Sequence, residues 1–402
     1  MANKVKYVAV AVIIIAIVIA AAVYFFYLPK PAETIKIGLT TPLSSPGDYK
    51  SGEINKKTAE LAIKHINEEG GVLGKNLSLV VADDQGKVDV GVSAVERLIT
   101  EENVVAIVGI WHSSVALAQK EKCIEYGVPI FAHYTWADDF TADHSEWVFR
   151  VSPYNSEIAK LILPYIVDEG YEHVAVMAED TDYGLGFANA FKTEAEAEGI
   201  NVTIVEFPYD ATDLRSQLTE LKNMANPPDL LLIASVYEAG YVIPVQAYEV
   251  GLAPDCDIMA GWDYPGWSPE WWETTGEYGV NVTYPTFYHP EKLSLTSIGQ
   301  KFRNDYKAEY GSEPPIYAYF LYDEIQVIAQ AIKEAGSEKP ADWVPLVHTM
   351  SFEGTTGTIT FERETTEGSP VWNQWLGHQI FIIKLTEQGQ TTETGVVVYP
   401  KE

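Results

Sequence analysis

Past residue 30 the chain alternates short β-rich runs with segments whose apolar positions recur at helical spacing. IKIGL, from Ile35 to Leu39, reads as a strand, and Ala59, Ala62, Ile63 and Ile66 then line one helical face until Gly70-Gly71 ends it. LSLVV from Leu77, VVAIVG from Val104 and VPIFA from Val128 are the next strands, separated by helices around Val92, Val95 and Ile99 and from about Ser113 to Tyr126. The same beat restarts beyond VFRVSP (Val148 to Pro153). Ile158, Leu161, Ile162, Tyr165 and Ile166 mark a helix, and strands follow at HVAVMA, near Asn201 to Val205, at DLLLIAS and at CDIMAG. Strands and helices alternating at this spacing imply parallel sheets covered on both faces, so the pattern predicts an α/β fold of two doubly wound, Rossmann-like lobes. Ligands in such sheets sit beyond the carboxyl ends of the strands, so two facing lobes share one cleft.

The first thirty residues follow a different pattern. Lys4 and Lys6 precede an uncharged apolar run from Tyr7 to Leu28, closed by Pro29-Lys30-Pro31. As a helix it is about 33 Å long, enough to cross the ~30 Å hydrocarbon core of a bilayer once. Positive charge resists translocation, so the expected topology is a cytoplasmic amino terminus with the rest extracytoplasmic. A cleaved signal peptide is the rival reading, since Ala20-Ala21-Ala22 offers small residues for a peptidase. The apolar run continues past them through Val23 to Leu28, which favours a retained anchor.

Charge and cysteine content narrow the classes further. The chain carries −30, and the amino-terminal segment holds three lysines and no acid, leaving −33 on the remainder. Such a surface repels nucleic acid and anionic lipid and keeps an exported, monomeric domain soluble. Cys123 and Cys256 are the only cysteines and read as buried and unpaired. Asn76, Asn201 and Asn281 head glycosylation sequons, which also arise by chance.

Five stretches carry a resemblance to periplasmic binding proteins of fold type I, in particular the branched-chain amino-acid (Leu/Ile/Val) binding family of ABC transporters: IKIGLTTPLSSPGDYKSG, ELAIKHINEEGGVLGKNLSLVVADDQG, VVAIVGIWHSSVALAQKEKCIEYGVPIFA, AEDTDYGLGFANAF and PPIYAYFLYDEIQVIAQAI. Their order and spacing thread the chain from Ile35 to about Phe361. The resemblance implies three hinge crossings between lobes, near Arg150 to Ser152, near Tyr284-Pro285 and near Phe352 to Gly354. Residues 1–30 then form the head and anchor, 31–151 with 285–352 the first lobe, and 152–284 with 353–402 the second.

Ser113 and Ser114 lie between a strand and a helix start, where unpaired N–H groups and the helix dipole favour an anion; the plain alternative is an ordinary helix cap. The resemblance implies that Ser113 holds a ligand carboxylate. AHYTWADDF matches the family's second ligand loop but puts Tyr134 and Trp136 where small residues are usual, so the rings narrow the pocket or stack on the ligand, and the carboxylate shifts to Thr135 or His112. Tyr183 matches a tyrosine that packs on the ligand from the opposite lobe, Tyr237 stands within one residue of a second aromatic position, and Asp263 is the nearest carboxylate to the family's ammonium-binding acid, with Trp262 competing for the place. Trp262, Tyr264, Trp267, Trp271 and Trp272 read mainly as core, with a cage for a quaternary ammonium as the alternative. His112 and His133 have no third ligand at metal-like spacing, so no metal is expected.

No enzyme signature is complete. GLGFAN lacks the last glycine of a dinucleotide turn, GGVLGKN lacks the spacing of a phosphate loop, and neither G-x-S-x-G nor H-E-x-x-H occurs. The expected protein is no enzyme, uses no cofactor and works as a membrane-anchored solute receptor. It captures a small polar ligand, an amino acid or similar zwitterion, and passes it to ABC permease subunits with cytoplasmic ATPases. A sensory ligand-binding domain for an amino acid, amide or carboxylate is the alternative.

Overall fold

The computed structural model describes residues 33–401 apart from Tyr237, and the apolar run Tyr7 to Leu28 lies outside it. No helix among the described residues is long and apolar enough to cross a membrane. The chain opens with β1 (Thr34–Thr41), α1 (Tyr49–Glu68), β2 (Asn76–Asp83), α2 (Val88–Thr100), β3 (Ala106–Val108), α3 (Ser113–Tyr126), β4 (Ile130–Ala132) and β5 (Val148–Arg150). The second alternation runs α4 (Asn155–Glu169), β6 (His173–Glu179), α5 (Asp182–Ala197), β7 (Asn201–Phe207), α6 (Arg215–Lys222), β8 (Leu230–Ala234), α7 (Ala239–Glu249), β9 (Asp257–Ala260), α8 (Pro269–Thr275) and β10 (Thr283–Thr286). Then come α9 (Ser297–Tyr310), α10 (Ile316–Ala335), α11 (Pro340–Val347), the small pair β11 (Phe352–Glu353) and β12 (Thr358–Ile359), β13 (Glu362–Arg363), β14 (Trp372–Gln374), β15 (Phe381–Lys384) and β16 (Val396–Tyr399).

These strands form two seven-stranded sheets, ordered β13-β14-β5-β4-β3-β1-β2 and β16-β15-β10-β9-β8-β6-β7. The central strands are apolar on both sides because helices cover both faces: every residue of β6 and β8 is buried, whereas the outer β2 and β7 mix exposed and buried positions. In each sheet the strand order reverses beside the first strand of its alternation, β1 or β6, and the loops leaving the neighbouring carboxyl ends open toward the other lobe. Both cysteines are free and buried.

Two expected boundaries shift. β10 belongs to the second sheet through its last residue, Thr286, so the second crossing follows it instead of falling at Tyr284-Pro285. The third crossing does not lie near Phe352 to Gly354. β14 pairs in parallel with β5, Gln374 opposite Arg150, so the chain stays with the first lobe through Gln374 and reaches the second only at β15. Strands of two or three residues leave little periodicity in sequence to mark the return, and their register is fixed by a buried side chain.

That side chain is Arg150. Its Nε donates to Gln374 Oε1 at 2.5 Å, Nη1 to the carbonyls of Ala137 at 2.7 Å and Thr135 at 3.4 Å, and Nη2 to Thr141 Oγ1 at 2.9 Å. Gln374 in turn donates to the Ser152 carbonyl at 2.8 Å. One guanidinium thus joins the first crossing, the third crossing and the loop after β4. Arg150→Lys retains a charge but not the fork, leaving several buried carbonyls short of donors; the variant is expected to lose about 2–4 kcal/mol of stability, read as a lower urea midpoint.

Candidate functional site

The first lobe contributes the loops that leave β3 and β4. α3 begins at Ser113 with His112 at its cap position, and the His112 ring caps none of the first-turn N–H groups. Instead His112 Nε2 accepts the Asp48 N–H at 3.2 Å. The helix start therefore keeps donors for an anion. Ser113 Oγ accepts the Ala137 N–H at 3.3 Å, which leaves the hydroxyl proton free to donate. Below this loop, His133 Nε2 meets Asn55 Oδ1 at 3.0 Å, and Asn55 donates to Thr41 Oγ1 at 3.0 Å. Burial pulls both His112 and His133 down to about 3, so both rings are neutral at physiological pH.

From the second lobe, the turn between β6 and α5 brings Glu179 to Tyr183 to the same place. A Cβ at Gly184 would come within 2.3 Å of the Glu179 carbonyl, so only glycine permits this turn. Glu179 is fully buried, accepts Thr181 Oγ1 at 2.8 Å and the Val236 N–H at 2.9 Å, and is pushed up to about 7 by its burial. Between the lobes lies a pocket of about 330 Å³ lined by Trp111, Ser113, Ser114, Thr181, Tyr183 and Val236, with exposed Lys87 at its rim.

The lobes are in contact across this cleft. Ser114 Oγ accepts the Asp182 N–H at 3.3 Å, Lys50 pairs with Glu270 at 2.6 Å, and Tyr134 donates its hydroxyl to Asp263 Oδ1 at 3.0 Å. Rings meet as well: Trp136 stands edge-on to Tyr183 at 5.7 Å and Trp111 edge-on to Trp262 at 5.8 Å. Residues from Ile35 onward gather into one compact unit, so this is a closed arrangement.

Of the eight residues expected at the site, three line this pocket, four lie elsewhere and one is outside the described residues. Ser113, Ser114 and Tyr183 line the pocket. Tyr134 and Trp136 do not line it; they pack behind it, Tyr134 stacked on Trp111 at 5.3 Å and Trp136 against Tyr183. Thr135 is not a carboxylate donor, because its fully buried hydroxyl donates to the Ile110 and Trp111 carbonyls, both at 3.2 Å. Tyr237 lies outside the described residues. Asp263 and Trp262 do not compete for one place: Trp262 Nε1 donates to the Ser235 carbonyl while Asp263 turns to Tyr134. Of the tryptophan-rich cluster, Tyr264 and Trp271 are core, Trp272 is tied to the Gln390 carbonyl, and only Trp262 and Trp267 reach rings of the other lobe. No group of three metal-ligating side chains occurs among the described residues.

Trp111 and Tyr317 belong to the site, although their positions in sequence do not single them out as ligand contacts. Trp111 had a usable signal, its place in the loop immediately before Ser113. Tyr317 had none, since it reaches the cleft from the first turn of α10, far along the chain from Trp111. Five buried donors at the cleft have no protein partner: Tyr183 Oη, Trp136 Nε1, Trp111 Nε1, Trp267 Nε1 and Tyr317 Oη. Unmet donors of this kind are expensive unless a ligand or water accepts from them.

Asp263 is nearly fully buried, and burial raises its carboxyl from 3.8 to about 7. A carboxyl whose pKa is higher folded than unfolded stabilises the fold fully below about 4 and loses that contribution as pH rises through 7. Asp263→Asn removes the cost of ionisation. In ligand-free protein its melting temperature should gain on the parent between pH 5 and pH 8, with every tenfold difference in proton affinity between folded and unfolded chain worth about 1.4 kcal/mol. A gain equal at both pH values contradicts this assignment.

Comparison with known proteins matches the two-lobed fold. The family model described as periplasmic binding protein fits residues 34–390. Leu/Ile/Val-binding protein homolog 7 of Brucella abortus is 27% identical over 313 residues, covering 75% of this chain and 77% of that protein. A leucine-binding protein from Thermotoga maritima superposes with a TM-score of 0.78 at 25% identity, covering 89% of this chain and 97% of that one. An ABC transporter substrate-binding protein from Desulfitobacterium hafniense, in complex with Leu, gives a TM-score of 0.71 at 26% identity, with 91% and 100% covered.

Proposed function

The chain belongs to the periplasmic binding protein family, and on that footing we propose that it is the solute-capturing component of an ABC importer, closing its lobes around a small zwitterion such as an amino acid. The matched relatives are binding proteins, and the chain is a binding protein and no enzyme. The observation that carries the ligand class is the polarity across the cleft. The first lobe offers the uncapped start of α3, the Ser113 hydroxyl and Lys87 to a carboxylate, the second lobe faces them with Glu179 and Asp180, and Asp263 lies behind the pocket on Tyr134. Closure brings the two sides to one ligand, as hinge motion about the crossings requires.

Delivery of the ligand would be to permease subunits powered by cytoplasmic ATPases. The Tyr7 to Leu28 run supports tethering: it is long enough to span once, with the lysine-flanked head inside and the binding domain extracytoplasmic. Intact-mass analysis of protein taken from membranes should give the uncleaved chain; a mature start near Val23 contradicts the tether.

A thermal-shift screen of amino acids, amides, carboxylates and methylated amines should identify the solute, since ligand at a hundred times Kd stabilises by about 2.7 kcal/mol. Calorimetry with that solute should then show Ser113→Ala binding at least tenfold more weakly, the loss of one charge-assisted hydrogen bond. Unchanged affinity in Ser113→Ala would remove the carboxylate from this helix start.

A further inference from the structure

A second cavity, of about 400 Å³, lies between the lobes and adjoins the first, sharing Ser114, Asp180 and Thr181 with it. Its first-lobe wall comes from α3 and the loop after β4, and its second-lobe wall from the start of α4, the turn after β6 and the amino-terminal half of α5. Four aspartates line it, Asp138 and Asp139 from the first lobe and Asp180 and Asp182 from the second, and no lysine, arginine or histidine does. None of the four forms an ion pair among the described residues, and Lys120, whose ammonium reaches the Asp139 carbonyl at 2.6 Å, pairs with Asp143 instead. Arg150 acts on Asp138 only through its charge, since its hydrogen bonds go to Gln374, Thr141 and two carbonyls. Asp138 and Asp180 each accept one backbone N–H, from Ser156 at 3.1 Å and Tyr209 at 2.7 Å, through Oδ1 alone. Closure thus gathers like charges from both lobes around one space, and a cation entering it relieves their repulsion.

A buried acceptor points into the same space. Asn155, 1% exposed, donates its Nδ2 to the Tyr183 carbonyl at 3.4 Å. A carbonyl can only accept, so the amide is fixed with Oδ1 turned away from Tyr183, and that oxygen has no protein partner although Asn155 lines the cavity. A buried acceptor left unmet is costly, and a ligand with N–H groups satisfies it. Asn189 spends its Nδ2 on the Leu185 carbonyl at 2.8 Å, which leaves a further amide oxygen as an acceptor.

The spread of these oxygens selects the cation. No three carboxylates among the described residues gather closely enough to hold a metal ion, so one compact charge does not serve both walls. Leu117 and Leu185, one from each lobe, stand among the acids, and a hydrated ion gains nothing from them. A linear polyamine matches both features: its ammonium groups are separated along the chain, each brings donors to acceptor oxygens, and its methylenes lie against the leucines.

We propose that this cavity binds a linear aliphatic polyamine, its ammonium groups bridging Asp138 and Asp139 of one lobe to Asp180 and Asp182 of the other, with Asn155 Oδ1 as a buried acceptor. The polyamine is a second ligand, and the site stands whatever solute the adjoining pocket takes.

The test is calorimetry on the purified full chain with spermidine, the monoamine butylamine and magnesium chloride, at matched ionic strength. Spermidine should bind at one site at least tenfold more tightly than either of the others. Magnesium binding as tightly overturns the polyamine in favour of a hydrated metal ion, butylamine binding as tightly overturns the bridge, and no saturable heat from spermidine overturns the site. Asp139→Asn combined with Asp182→Asn removes one exposed acid from each wall, and the melting curve verifies folding. It should weaken spermidine at least tenfold, whereas Glu198→Gln combined with Glu220→Gln, which removes as much charge at exposed positions elsewhere in the second lobe, should leave the affinity unchanged. An equal loss in the two double variants overturns the site and leaves only attraction to an acidic surface.

Discussion

A carboxylate buried between two lobes and held by one neutral hydroxyl is the constraint on which this cleft turns. Asp263 leaves the end of β9, and Tyr134 reaches it from the loop after β4, so their 3.0 Å hydrogen bond exists only in the closed arrangement. A hydroxyl stabilises an ionised carboxylate far less than a cation does, and burial accordingly holds Asp263 near 7. The closed cleft therefore has an electrostatic demand that the protein itself does not meet. A ligand that brought positive charge to Asp263 would meet it, and closure would become more favourable by the difference in that ligand's affinity for the closed and open forms.

The same economy governs the frame around it. Arg150 is buried on neutral acceptors too, yet each of its three nitrogens finds a partner, because Gln374, Thr141 and two carbonyls surround the guanidinium. A satisfied cation fixes the crossings, and an unsatisfied anion waits at the cleft. The contrast separates what must stay put from what must respond. The Lys50–Glu270 pair adds little to either, being partly exposed on both sides, where such pairs are worth at most about 1 kcal/mol.

The two-lobed fold was legible because local pattern specifies it. The wholly buried β6 and β8 announce themselves as apolar runs, and helices such as α1 show one apolar face. Ser113 was legible for a related reason, since a serine between a buried strand and a helical face marks a helix start wherever it occurs. The third crossing was not, because β13 and β14 are too short to carry a period and their place depends on Arg150 finding Gln374. Thr135 was misjudged since nothing local shows that its hydroxyl turns back onto the carbonyls of the preceding loop. The contacts among Trp111, Trp262, Trp267 and Tyr317 across the cleft were the least legible feature, since these rings are brought together by tertiary packing and the direction of an aromatic side chain is not written in its spacing.

The most direct measurement of this account is the distance between the lobes. Cys123 and Cys256 are buried, so spin labels at Glu53→Cys on α1 and Glu273→Cys on α8, both exposed positions, report on opposite sides of the cleft. Without ligand, the unmet charge of Asp263 should leave the lobes sampling a broad set of longer distances at pH 8. Saturating zwitterion should collapse that set to one short distance. An identical distribution with and without the zwitterion would contradict the central claim, that a ligand's positive charge beside Asp263 is what holds the lobes together.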